Sequence, residues 1–314
     1  MPDFSKGRCV LLPALFILVF SLSMSCDDKP TRVRDIPDFN AQRAFAYLEQ
    51  QVAFGPRVPG TEAHANCLKM FKDSLEACGA QIKLQSFEHF IDKTGEKVQL
   101  TNVIASFNPA NKNRMLLAAH WDSRPWADSE TDSSRHNIPV DGANDGASGT
   151  AVLLQVAQNL RAKKAPIGVD IIFFDGEDFG THGNDATWAV GSQYFAKHKD
   201  VRYNPFMGIL LDMVGDQDLH LMKEGYSVQM APDIVNIVWS YARRLDLPAF
   251  SDNHMGPVTD DHVPLLRVGI PCIDIIDFDY KYWHTIEDTP DKCSPESLDQ
   301  VGRLLLELIY DPPI

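Results

Sequence analysis

The chain has 314 residues, of which 44% are hydrophobic, and its 43 acidic against 29 basic side chains leave a net charge of −14 at pH 7. That length and apolar content suffice for one large core, in one or two domains. So acidic a surface excludes nucleic acid as a partner.

Lys6 and Arg8 precede an apolar run from Val10 to Phe20, which passes through small residues to Cys26. The run is about 11 residues long where a membrane span needs roughly 20, so residues 1–25 read as a signal peptide rather than an anchor. The residues ending at Cys26 resemble a bacterial lipobox, although Ser23 stands where leucine is usual. That resemblance implies an exported bacterial protein, periplasmic or on the outer surface, held to a membrane through a lipidated Cys26. Residues 26–38 mix charge and proline without an apolar period and are expected to form the tether, which leaves 39–314 as the folded domain.

The first helix is predicted over Ala41 to Val52, and a second ends at the stop signal Gly79. Gln81 to Phe90 and Lys97 to Phe107 alternate as strands do, and four short apolar runs follow at Met115–Ala119, Val169–Phe174, Met207–Leu211 and Cys272–Ile276. Helical stretches at Ala147–Lys163 and Pro232–Leu245 lie between them, and Ser294 followed by Pro295 caps a C-terminal amphipathic helix. Strands alternating with helices imply an α/β fold: a single globular domain with a central, mostly parallel mixed β-sheet flanked by helices. Cys67 and Cys78 sit near opposite ends of the second helix, about 16 Å apart at helical rise, too far to pair. For Cys272 and Cys293 a bridge and a pair of core thiols are both open.

In open α/β sheets, ligands bind beyond the carboxyl ends of the strands. Polar residues suited to metal binding or proton transfer stand there four times: His120-Trp121-Asp122, Asp175-Gly176-Glu177-Asp178, Asp212, and, after a loop, Trp283-His284. Gly142 to Gly149, reading GANDGASG, opens a helix between the first two. A lone histidine or a lone Asp-Gly at such a position is more often a structural residue or a turn; their recurrence at successive strand ends is the signal. A catalytic zinc takes three nitrogen or oxygen ligands and keeps one position open, and Asp145, Asp178 and His284 suit it. Glu177, beside a ligand, is positioned to move protons.

HWDS, GANDGASG, FFDGED, LLDMVG, TDDH and WHT occur in an order that resembles the glutaminyl cyclases, themselves similar to zinc-dependent aminopeptidases of the bacterial leucyl type. The resemblance runs from Phe54, in FGPRVPGTEAH, to the last helix. It implies zinc on Asp145, Asp178 and His284, Glu177 as general base and acid, and Asp212 and Asp260 as an acidic network beside the substrate. It also implies Trp283 as an aromatic wall of the glutamine pocket, and His120 as a histidine that binds a second metal in two-metal relatives. Trp188 matches a pocket tryptophan at a longer offset and is equally readable as core. Asp178 replaces a glutamate usual in animal cyclases, and Arg124, in place of a lysine, reads as a surface charge. Asp261 reads as a helix cap and His262 as structural.

The implied activity converts N-terminal glutamine of peptides and proteins to pyroglutamate, with one zinc ion expected. A two-metal aminopeptidase is the rival, because His120, Asp145, Asp178, Asp212 and His284 are its five ligand positions. Asp260 within TDDH and Trp283 beside His284 favour the cyclase, since a hydrolase needs room for a metal-bridging water. A binding lipoprotein without catalysis is the third reading; it is opposed by the intact set Glu177, Asp145 and His284.

Overall fold

The computed structural model describes residues 1–3, 7 and 35–314. The signal peptide, Cys26 and the tether as far as Arg34 therefore lie almost wholly outside the described residues. Helices α1 (Ala41–Val52) and α2 (Glu62–Ala77) lead into strands β1 (Gln81–Phe90), β2 (Lys97–Phe107) and β3 (Arg114–His120). Next come α3 (Ala147–Ala162), β4 (Gly168–Phe174), α4 (Val190–His198), β5 (Met207–Asp212), β6 (Leu221–Lys223), α5 (Gly225–Met230) and α6 (Pro232–Arg244). The chain closes with β7 (Phe250–His254), α7 (His262–Arg267), β8 (Cys272–Ile276) and α8 (Pro295–Tyr310).

Six strands form one sheet in the order β1-β2-β4-β3-β5-β8, with β4, β3, β5 and β8 parallel and β2 antiparallel to both of its neighbours. β6 and β7 form a separate two-stranded parallel ribbon. Alternation along the central strands divides the core. Met115, Leu117, Ala119, Val169, Ile171 and Phe173 face the large cluster made with residues of α2, α3, α6 and α8. Leu116, Ala118, Ile172 and Phe174 face a smaller cluster with Phe195 and Leu265. Both faces are thus covered, which is why the strands read as continuous apolar runs.

α1 is capped by the Asn40 side chain on the Arg43 amide, α2 by Thr61 on His64, and α8 by Ser294 on Ser297, with Pro295 in its first turn. The compact unit begins at Asp35, ahead of the boundary read at 39. Ile36 packs on the core, and the Asp38 carbonyl accepts a bond from Asn159 Nδ2 at 2.8 Å. Cys67, Cys78, Cys272 and Cys293 are all free, buried thiols, so no Cys272–Cys293 bridge exists. Asp261 precedes α7 but its side chain makes no cap bond. Among the described residues, no helix is long and apolar enough to cross a membrane.

Candidate active site

The parallel strands deliver the candidate residues to one edge of the sheet: His120 ends β3, Asp212 ends β5, and Asp175 to Asp178 follow β4. Asp145 arrives on the turn before α3. That turn needs glycine at Gly142 (φ +63°) and Gly146 (φ +95°), and a Cβ on Gly146 would lie 2.5 Å from the Asp122 carbonyl oxygen. Arg57, fully buried in FGPRVPG, braces the turn: it donates to the Asp141 and Gly142 carbonyls, both at 2.6 Å, and to Trp121 O at 3.0 Å. Asp288 holds its other side by accepting the amides of Asn144 (2.8 Å) and Asp145 (3.1 Å). Burial, with the Asp145 charge, raises the Asp288 carboxyl to about 7.

Asp122 shapes the next loop. Its two carboxylate oxygens accept the amides of Glu177 and Asp178, each at 3.1 Å, which turns both side chains toward the strand edge. His284 sits in the left-handed region (φ +56°), an uncommon conformation for a residue other than glycine.

These elements bring one ligand atom each of Asp145, Asp178 and His284 within 4.8 Å of one another, all buried. His284 Nε2 is 3.1 Å from Asp178 Oδ1 and 3.6 Å from Asp145 Oδ2. Asp145 Oδ2 and Asp178 Oδ2 are buried without a hydrogen-bond partner, as expected of oxygens arranged for a cation. The donor set, one imidazole and two carboxylates, is one that zinc accepts. Burial, then the Asp178 charge, raises Asp145 to about 6. Burial also acts to raise Asp178, but the hydrogen bond and charge of His284 outweigh it and leave that carboxyl lowered.

A second cluster shares Asp145. His120 Nε2 stands 3.1 Å from Asp145 Oδ1 and 3.1 Å from Asp212 Oδ1, and these three residues also converge within 4.8 Å. Burial opposes a proton on His120, but Asp122, Asp145 and Asp212 together raise its pKa well above the ordinary histidine value. Glu177 is buried beside both clusters, and its carboxyl is raised well above the usual range by burial and then by Asp178 and Asp260. Burial and the Asp212 charge raise Asp260 to about 6.

A cavity of about 340 Å³ is lined by Asp145, Glu177, Asp178, Asp212, Asp260 and His284, with Trp188 and Trp283 among its walls and His120 buried behind them. Trp283 stacks on His284 at 3.8 Å between ring centroids and 24° between planes. Trp188 lies nearly parallel to the same imidazole, at 5.9 Å and 6°. Trp188 is thus a wall of the cavity rather than core. His182, exposed, stands between the two indoles with centroids 5.8 and 5.9 Å away.

The structure corrects one reading and adds residues. Arg124 is no surface charge: it is 2% exposed and donates to the carbonyls of Asp178 (2.8 Å) and Gly180 (3.0 Å), while its guanidinium covers the Trp188 ring at 4.8 Å. It also pairs with Asp128 at 2.6 Å, and Asp128 faces Nδ1 of His284. Asp128, Asp288 and His182 were outside the sequence reading. Only the spacing of Arg124 and Asp128 hints at a pair, and the loop has no period that would place it against His284.

The model of peptidase family M28 matches residues 102–309. The chain is similar to the solved glutaminyl cyclase of Tannerella forsythia, with 43% identity, a TM-score of 0.84, and coverage of 88% of this chain and 99% of that one. It is equally similar to a solved zinc-dependent exopeptidase of Parabacteroides distasonis, with 42% identity, a TM-score of 0.85 and the same coverage. The glutaminyl-peptide cyclotransferase of Drosophila melanogaster is 25% identical over 276 residues, 80% of this chain and 75% of that protein. With the sheet order, the strand-end carboxylates and the family match in agreement, the chain belongs to peptidase family M28 and has its zinc aminopeptidase-like fold.

Proposed function

We propose that this chain is a zinc-dependent glutaminyl cyclase that closes the N-terminal glutamine of peptides and proteins into pyroglutamate and releases ammonia. The observation that carries the reading is the stacking of Trp283 and Trp188 on His284, which walls the cavity over the Asp145, Asp178 and His284 cluster with flat aromatic surface suited to a planar amide. The likeness to proteins named glutaminyl cyclase supports it.

Asp145, Asp178 and His284 would hold the zinc, which when bound supplies Lewis-acid polarisation of the γ-carbonyl oxygen. Glu177 takes a proton from the substrate's α-amine as that nitrogen attacks the γ-carbon, and delivers a proton to the departing amide nitrogen. One C–N bond forms, another breaks, and ammonia leaves. Such positioned proton transfer contributes about 10² to 10⁴ in rate. Asp212 and Asp260, on the cavity wall, accept hydrogen bonds from the amide nitrogen and orient it for departure. Burial of Glu177 and the ligands keeps bulk water from competing with the amine.

A two-metal aminopeptidase is the second reading, favoured by the convergence of His120, Asp145 and Asp212 next to the first cluster. The discriminating assay offers the purified protein a glutaminyl peptide and, beside it, a leucyl amide, each with and without a chelator. Chelator-sensitive loss of ammonia with the peptide bond intact is expected. Free leucine instead would overturn the cyclase and move His120 and Asp212 into the metal site.

From the leader's composition we also propose that the protein is exported and anchored by a lipid on Cys26, in the periplasm or on the outer surface. A mature protein whose N-terminus is not an acylated Cys26, read by mass spectrometry, would contradict this.

A further inference from the structure

Part of the cavity wall is made by Tyr226 on α5 and by the segment Pro257 to Asp260. That wall belongs to two separate stretches of chain, the first turn of α5 and an irregular loop, so something must hold them in register. The two run close together: the Gly225 amide donates to Gly256 O at 3.3 Å, the Met255 amide to Lys223 O at 3.0 Å, and a Cβ on Gly225 would lie 2.6 Å from Pro257 N.

At their meeting point is Glu224, completely buried. Its Oε1 accepts the amides of Tyr226 (2.7 Å) and Val258 (2.8 Å). Its Oε2 accepts the Ser227 amide (2.7 Å), the Ser227 hydroxyl (2.7 Å) and His262 Nε2 (3.1 Å). The Ser227 hydroxyl in turn accepts the Asp274 amide of β8 at 3.0 Å, and His262 Nδ1 lies 3.7 Å from Asp274 Oδ2. A carboxylate with both oxygens saturated in this way is rigid, since moving it breaks several charge-assisted bonds at once. Although burial pushes the other way, the bonds from His262 and the amides hold the Glu224 carboxyl down to about 2, so it stays ionised.

We infer that Glu224 is a positioning residue for the reaction: it never touches the substrate, but fixes Tyr226, Val258 and, through the next two residues, Asp260 against the cavity. The inference rests on the cyclase reading for its kinetic consequence and on the hydrogen bonds alone for its structural one. Asp260 is only two residues beyond the amide that Glu224 holds, and a displacement of about 1 Å at a reacting group costs on the order of 10²-fold in rate.

The test compares Glu224→Ala with Glu224→Gln. A glutamine turns its carbonyl toward the Tyr226 and Val258 amides, because Ser227 Oγ and His262 can both switch from donor to acceptor while the two amides cannot. Glu224→Gln should therefore keep slow hydrogen exchange at Tyr226 and Val258, lose it at Ser227, and keep kcat/KM within about fivefold. Glu224→Ala should speed exchange at Val258 at least tenfold and lower kcat/KM for the glutaminyl peptide by about 10- to 100-fold, mostly in kcat, with zinc content unchanged in both.

Unchanged Val258 exchange in Glu224→Ala would overturn the inference, as would equal kinetic loss in the two variants. Should Glu224→Ala not fold, the contrast between Val258 and Ser227 in Glu224→Gln decides it, and loss of protection at Val258 there refutes it. A wild-type protein without cyclase activity would remove the kinetic arm alone, since the exchange pattern is read without substrate.

Discussion

Asp128 Oδ1 lies 3.5 Å from Nδ1 of His284, on the side of the imidazole away from Asp178, which Nε2 meets at 3.1 Å. The pair fixes the ring between two carboxylates, and Arg124 fixes Asp128 in turn with bonds at 3.0 and 2.6 Å. A proton on Nδ1 directed at Asp128 leaves the Nε2 lone pair free for a metal, which is the usual way a ligand histidine is held to one tautomer. Burial acts to raise the Asp128 carboxyl, but His284 and Arg124 hold it far below the usual range, so the charge is present across ordinary pH.

Replacing Asp128 with asparagine should weaken zinc affinity about 10- to 100-fold, the usual effect of losing such a partner. Competition against a chromogenic chelator reads this directly. Activity at saturating zinc should recover most of its loss, because no reacting group is removed. An unaltered zinc affinity would show that the backbone of His284, and not Asp128, sets the ring.

Glu177 and His284 should separate cleanly. Glu177→Gln keeps the shape of the side chain and removes its basicity, so zinc content should be normal and turnover should fall by about 10² to 10⁴. His284→Ala should lose the metal and the activity together. Metal analysis alongside the ammonia assay distinguishes them, and equal zinc loss in both variants would end the proposed division of roles.

Much of this site is legible because its chemistry is local to strand ends. Asp145, Asp178, Asp212 and His284 follow apolar runs or glycine-rich turns whose boundaries are themselves readable, and Gln81–Phe90, Lys97–Phe107 and Cys272–Ile276 are strands over those same spans. The helices α5 and α7 and the strands β6 and β7 are not readable, because they are short and, unlike the equally short β5 and β8, are not fully buried strands of the main sheet, whose sequence must be apolar. Nor are the roles of Arg124, Asp128 and Glu224. Their partners are carbonyls, amides and rings brought in by tertiary folding, for example Gly180 O to Arg124 and Val258 N to Glu224, and such contacts leave no local pattern. Charge at those positions reads as surface by default, and only burial with saturated bonds reveals otherwise.

Gly146 tests how far the metal cluster depends on backbone rather than side chains. At φ +95°, and with the Asp122 carbonyl 2.5 Å from where a Cβ would stand, alanine cannot enter without moving the Asp145 turn or the strand-end loop. Gly146→Ala should cost about 1 to 3 kcal/mol from the backbone conformation alone, and should weaken zinc binding although every ligand side chain is retained. Thermal melting in chelator and zinc competition measure the two effects separately. A variant that matched the wild type in both would mean that the turn is more pliable than its packing implies.

Asp277 gives the pH dependence a definite sign. It is 1% exposed, accepts the amides of His220 (2.9 Å) and Asp279 (3.2 Å), and is raised to about 6 by burial, with the Asp216 and Asp279 charges adding to the effect. An unfolded aspartate titrates near 3.9, so between about pH 4 and 6 the native chain holds a proton that the unfolded chain has released. The stability from this group is therefore full below about pH 4 and is lost as the pH rises from there through 6. Asp277→Asn cannot titrate. It should sacrifice one amide bond at every pH, yet its melting temperature should fall less between about pH 4.5 and 7 than that of the native chain. Measuring both proteins in chelator leaves the other buried carboxylates titrating equally, so the difference in slope isolates Asp277. Parallel slopes would mean that the carboxyl is hydrated in the folded state and its burial does not set its charge.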